Sequence, residues 1–135
     1  MYTDSHTHLY LEAFKEDREQ MISRAIEAGV RLMFLPNIDS SSIGAMFSLV
    51  DSYPSHCFPM MGLHPTSVKE NYREELKNIE AHLNQKKYIA IGESGIDLYW
   101  DTSFATQQEE AFRIQIRWAR ERKLPLVIHA RESFQ

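Results

Sequence analysis

The chain has 135 residues, enough for one domain with a real core, and its 43% hydrophobic and 25% charged residues are ordinary for a soluble globular protein. A formal net charge of −4, with both signs mixed along the chain, excludes a general nucleic-acid binder built on a basic face. One cysteine, Cys57, excludes an internal disulfide, and the polar start and the lack of a long apolar run argue against a signal peptide and a membrane span, so a cytoplasmic location is expected.

Residues 2–5 read as a short first strand. Residues 12–28 read as a helix, with Gly29 where a C-cap would end it. Val30–Pro36 is a continuous apolar run, the pattern of a strand buried on both faces. Asp39, Ser40 and Ser41 offer N-cap side chains, and Ile43, Met46, Phe47 and Val50 then form one helical stripe. Residues 57–63 repeat the strand pattern. Tyr72, Leu76, Ile79 and Leu83 define a third helix. Residues 88–92 form a fourth strand, residues 104–123 a fourth helix with Phe112, Ile116 and Ala119 in register, and residues 124–128 a fifth strand.

Strands alternating with helices predict a parallel sheet joined by crossovers, all within a single domain spanning residues 1–135. A doubly wound open sheet and a (β/α)8 barrel both fit. The absence of a Gly-rich phosphate loop after any strand weakens the nucleotide-binding version. A complete barrel needs about 250 residues. Five strands and four helices therefore correspond to a TIM-type barrel truncated a little past its middle.

Polar residues gather at the strand ends, where a barrel carries its active site. His6 and His8 follow the first strand at i, i+2, so in extended backbone both rings point the same way. His64 follows the third strand, Glu93 the fourth, and His129 and Arg131 the fifth, again at i, i+2. Each has a plain structural reading. An isolated His-x-His is ordinarily a strand end, His64 before Pro65 a turn residue, Glu93 a solvated carboxylate, His129 a core histidine and Arg131 a surface charge. His56 and His82 lie at a strand start and on a helix and are read as structural. Asp4 points away from the His pair by alternation, so it should bond backbone or orient a ligand.

The joint pattern is stronger than its parts. Imidazoles with a carboxylate suit Zn, Mn, Fe or Ni more than Mg alone. Glu93 has two oxygens and could bridge two cations, which together can hold a water and lower its pKa towards neutrality.

These residues sit in Asp4-Ser5-His6-Thr7-His8-Leu9, Gly62-Leu63-His64-Pro65, Gly92-Glu93-Ser94-Gly95-Ile96-Asp97 and Leu124-Pro125-Leu126-Val127-Ile128-His129-Ala130-Arg131. With them the whole chain resembles the TatD family of the metal-dependent amidohydrolase superfamily; Gln107 and Phe112 also fit its pattern. The resemblance implies a TIM-barrel deoxyribonuclease that uses two divalent cations (Mg, Mn or Zn). It implies His6 and His8 on the first metal, Glu93 as the bridging and catalytic ligand, and His129 on the second. It implies His64 and Arg131 on substrate phosphate, where a guanidinium fork suits phosphate oxygens. A further metal-binding histidine and aspartate of the family, the latter the usual base, fall on later strands than this chain holds. A lactonase or phosphotriesterase is the rival enzyme, but such barrels often place a lysine where Glu93 stands. A catalytically incomplete, non-enzymatic module is the other rival. Two open sheet edges would also invite self-association.

Overall fold

A computed structural model describes residues 1–134 of the chain. Five strands, β1 (Tyr2–Asp4), β2 (Val30–Pro36), β3 (Cys57–Met61), β4 (Ala90–Asp97) and β5 (Leu126–Arg131), form one sheet. Between them run α1 (Arg18–Glu27), α2 (Ile43–Ser52), α3 (Tyr72–Leu83) and α4 (Ala105–Arg122). The sheet order is β1-β2-β3-β4-β5, and every neighbouring pair is parallel. A doubly wound sheet reverses its order at a switch point. This one never reverses, so it is the barrel alternative: half of a TIM-type barrel with its helices outside.

The packing between sheet and helices explains why these segments take these forms. Met33, Leu35, Met61 and Ile91 from the strands are fully buried with Ile22, Met46, Ile79 and Trp118 from the helices. Burying a side chain of that size contributes about 1.5–3 kcal/mol relative to exposure. The opposite sheet face carries Phe34 and Phe58, which are register partners, stand edge to face at 6.2 Å and remain half-buried. The α3 stripe of Tyr72, Leu76, Ile79 and Leu83 is buried as its spacing predicts. No helix among the described residues is long and apolar enough to cross a membrane.

Several boundaries differ from the sequence reading. The first helical stretch splits into a single 3-10 turn, Glu12–Phe14, and α1. Asp39 caps the 3-10 turn Ser40–Ser42 that precedes α2, through a capping box with Ser42. On α2, Leu49 joins Ile43 and Met46 inside, while Phe47 and Val50 are half-buried. On α4 the buried residues are Gln108, Ala111, Gln115, Trp118 and Ala119; Phe112 and Ile116 lie at the margin. β4 runs on to Asp97 and β5 to Arg131, so Glu93, His129 and Arg131 lie within strands rather than after them. The polar residues stay extended because Ser94, Gly95, Ile96 and Asp97 pair with Ile128, His129, Ala130 and Arg131.

Close packing around the site requires glycine, as Gly95 and Gly62 show. At Gly95, with φ +148°, an added Cβ would fall on the His129 carbonyl oxygen. At Gly62 it would meet the Gly92 backbone at 2.8 Å and Gln115 Oε1 at 2.9 Å.

Candidate metal centre

The centre is built outward from Glu93. Its carboxylate is buried, with 8% side-chain exposure, and four imidazoles converge on it. His6 Nε2 and His8 Nε2 lie 3.0 and 3.3 Å from Oε2. His129 Nδ1 and His64 Nε2 lie 2.9 and 3.6 Å from Oε1. The residues come from the β1 end, the β3 end, mid-β4 and β5, so adjacent parallel strands alone bring them together. Burial by itself would raise the Glu93 carboxyl. Hydrogen bonds from His64 and His8, with the charges of His64 and His6, outweigh it and hold the group well below the usual carboxylate range. An ionised, nearly dry carboxylate surrounded by imidazoles fits a cation.

The loop that presents His6 and His8 is pinned by Arg18. Its guanidinium donates to the carbonyls of Leu9, Tyr10 and Leu11 at 2.7, 3.1 and 2.8 Å. Asp4 Oδ1 accepts from the His6 backbone N–H at 3.2 Å, a bond to backbone as alternation predicts. Tyr10 donates its single hydroxyl proton to the Pro36 carbonyl at 2.5 Å. Burial pushes that hydroxyl far above the ordinary tyrosine range, so the proton stays. The hydroxyl can then only accept from His8 Nδ1, 3.0 Å away. A neutral His8 ring would therefore offer its lone pair at Nε2, the nitrogen a cation beside Glu93 would take, whereas the hydrogen bond to Glu93 uses a proton on that same nitrogen.

His64 is set the other way. The Thr66 backbone N–H donates to His64 Nδ1 at 3.2 Å and the Thr66 hydroxyl lies 2.7 Å from the same nitrogen, so with Nδ1 accepting, the proton of the neutral ring sits on Nε2. Two ligand groupings are compact enough for an ion: His6, His8 and Glu93, and His64, Glu93 and His129, each with its ligand atoms within 4.8 Å of one another. That arrangement distinguishes His64 from His8, because a ring presenting N–H suits an anion rather than a cation. The residues expected as ligands, His6, His8, Glu93 and His129, and the residue expected at phosphate, His64, all lie in this one cluster.

Arg131 stands apart from the carboxylate. It is exposed, with its guanidinium 3.7 Å over the Tyr99 ring and 5.4 Å from that of Trp100. His56 and His82 bond the carbonyls of Arg31 and Asn78 at 2.9 Å, away from the centre, as their structural reading requires.

Three residues of the site escaped the sequence reading. Asp97 Oδ2 lies 2.8 Å from His129 Nε2. Tyr10 holds His8. Asn37, fully buried, donates to the Gly62 and Asp39 carbonyls at 3.0 and 2.9 Å and offers its own carbonyl to the Glu93 N–H at 3.3 Å. Strand alternation would have found Asp97, and the same spacing carried past β1 leads to Tyr10 in the turn that follows. His6, His8 and Tyr10, and likewise Glu93, Gly95 and Asp97, recur at i, i+2, i+4.

Comparison with known proteins agrees with this geometry. A family model described as TatD related DNase matches residues 3–135. The uncharacterized metal-dependent hydrolase YabD of Bacillus subtilis is 33% identical over 133 residues, which are 98% of this chain and 52% of the relative. A protein of Pantoea ananatis named 3'-5' ssDNA/RNA exonuclease TatD is 32% identical over 122 residues, 90% of this chain and 47% of its own. The crystal structure of YjjV, a TatD homologue of Escherichia coli, superposes with a TM-score of 0.87 at 26% identity, covering 97% of this chain and 51% of that one. The chain spans about half the length of the curated relatives it matches. With the ligand-bearing strands, their order and the family match in agreement, the chain belongs to the TatD family of metal-dependent hydrolases.

Proposed function

We propose that the protein hydrolyses phosphodiester bonds of nucleic acid, DNA foremost, at a centre where His6, His8, Glu93 and His129 hold two divalent cations. The observation that carries the reading is the convergence of four imidazoles on the one buried carboxylate of Glu93. When bound, such cations supply Lewis acidity and the positive charge that activates water near neutral pH. Glu93 contributes the fixed negative charge, with one oxygen towards each histidine grouping. His8 presents a lone pair because Tyr10 holds its other nitrogen. His64 directs an N–H into the same space, where it can donate to a phosphate oxygen. Arg131, held over Tyr99 on the rim, presents a guanidinium to the phosphate backbone. The Pantoea relative, named a 3'-5' ssDNA/RNA exonuclease, favours single-stranded DNA or RNA over lactones or phosphotriesters.

The test uses the full-length protein and end-labelled single-stranded DNA and RNA, with Mg2+, Mn2+ or Zn2+ added and then chelated. Cleavage should need the metal, and Glu93→Gln should remove nearly all of it. Wild-type cleavage by that variant, or hydrolysis of a lactone or phosphotriester panel with no action on nucleic acid, would overturn the proposal.

A further inference from the structure

We infer that Asp97 is a positioning residue that fixes which nitrogen of His129 carries the proton, and so keeps Nδ1 free as a ligand. The inference rests on the metal-centre reading above. His129 meets a carboxylate at each ring nitrogen: Nδ1 is 2.9 Å from Glu93 Oε1, and Nε2 is 2.8 Å from Asp97 Oδ2. A neutral ring has one proton for these two acceptors. If Nδ1 gives its lone pair to a cation, the proton must sit on Nε2, where Asp97 accepts it. A carboxylate that accepts the outer N–H of a ligand histidine in this way fixes the ring's tautomer and orientation.

Asp97 is held for that task from several sides. Its side chain is 2% exposed. Its second oxygen, Oδ1, accepts the Tyr99 backbone N–H at 3.0 Å. Its backbone is clasped by the Gln108 amide, which accepts from the Asp97 N–H at 2.8 Å and donates to the Asp97 carbonyl at 3.0 Å. The His64 ring stands 4.5 Å from that of His129 at 63° and limits its tilt.

The two-oxygen arrangement makes Asp97→Asn informative. An asparagine here has one oxygen for two demands. With that oxygen on the Tyr99 N–H, the amide NH2 faces His129 Nε2 and can pair only with a lone pair there. The ring proton then moves to Nδ1, the nitrogen the cation needs. The reverse amide orientation sets NH2 against the Tyr99 N–H, two donors face to face. The isosteric change therefore inverts the tautomer while leaving shape, packing and the Gln108 clasp in place.

The experiment measures Zn2+ binding to the full-length protein by calorimetry, alongside long-range 15N–1H correlation spectra of the imidazoles. The Zn2+-loaded wild type should show His129 protonated at Nε2. Asp97→Asn should melt close to wild type, show the proton at Nδ1, and bind the weaker of two Zn2+ ions about 10- to 100-fold less tightly. Activity should fall in kcat with little change in KM. Equal Zn2+ affinity in both proteins would overturn the inference and leave the metal centre standing. So would an Nδ1-protonated His129 in loaded wild type, a measurement that needs no variant to fold. A wild type that binds no Zn2+ would overturn the metal centre itself, and the inference with it.

Discussion

The side chain of Gln115 offers a sharp test of how α4 supports the site. It is 1% exposed, and its amide serves both backbone groups of Leu63: Oε1 accepts the N–H at 2.8 Å and Nε2 donates to the carbonyl at 3.2 Å. Leu63 is itself fully buried and immediately precedes His64. The glutamine thus stands in for a neighbouring strand just past the end of β3, as Gln108 does at Asp97. Gln115→Leu would leave one buried N–H and one buried carbonyl without these partners. Each orphaned group costs about 1–3 kcal/mol, so the sum is roughly 2–6 kcal/mol, less some gain from burying leucine in place of an amide. With roughly 3 kcal/mol as the net, a domain of about 250 residues should lose roughly 6–12 °C in melting temperature. The assay is a thermal melt of the full-length protein followed by circular dichroism, with the exposed Arg113→Leu as control. Activity should fall as well, because the backbone that sets His64 is loosened. A shift of under about 2 °C would refute the reasoning and mean that water or a rearranged backbone satisfies Leu63.

Removing the Tyr10 hydroxyl in Tyr10→Phe should weaken metal binding about 10- to 100-fold by freeing the His8 tautomer, measurable by calorimetry with Zn2+; unchanged affinity would show that Tyr10 does not set His8. Gly95→Ala should destabilise the protein by several kcal/mol, since its Cβ collides with the His129 backbone and the positive φ disfavours any side chain; a urea midpoint equal to wild type would contradict that contact. Residues 1–135 expressed alone should self-associate through the sheet edges β1 and β5, where Tyr2 and Ile128 are 68% and 58% exposed. Light scattering would expose the error if that piece were a monodisperse monomer with a cooperative melt.

The sequence was most legible where apolar residues dominate a segment. β2 occupies the segment its apolar run marks, although Arg31 within it is exposed and the face that carries Phe34 is only half-buried. β4 and β5 were cut short for the converse reason. Their site-bearing halves carry Glu93, Ser94, Gly95, Asp97, His129 and Arg131, polar or small residues that an apolar criterion reads as loop. They remain strand because their backbones pair with each other, a tertiary fact that composition does not encode. The α4 face was misplaced similarly. Hydrophobic spacing favoured Phe112 and Ile116, whereas Gln108 and Gln115 are the buried residues that bond the backbone of Asp97 in β4 and of Leu63 just past β3. The cluster itself was visible because histidines and a carboxylate after different parallel strands must meet at one end of the sheet. Which nitrogen of each ring is engaged depends on Tyr10, Thr66 and Asp97, whose roles follow from distances and not from spacing.

The central claim is that Glu93 is the shared ligand of the centre. Anomalous diffraction from crystals of the full-length protein soaked in Mn2+ tests it most directly. The expected result is two peaks about 4 Å apart, one beside each Glu93 oxygen, with His6 and His8 at the first and His129 Nδ1 at the second. Peaks that do not touch Glu93, or strong metal binding that persists in Glu93→Gln, would contradict the account.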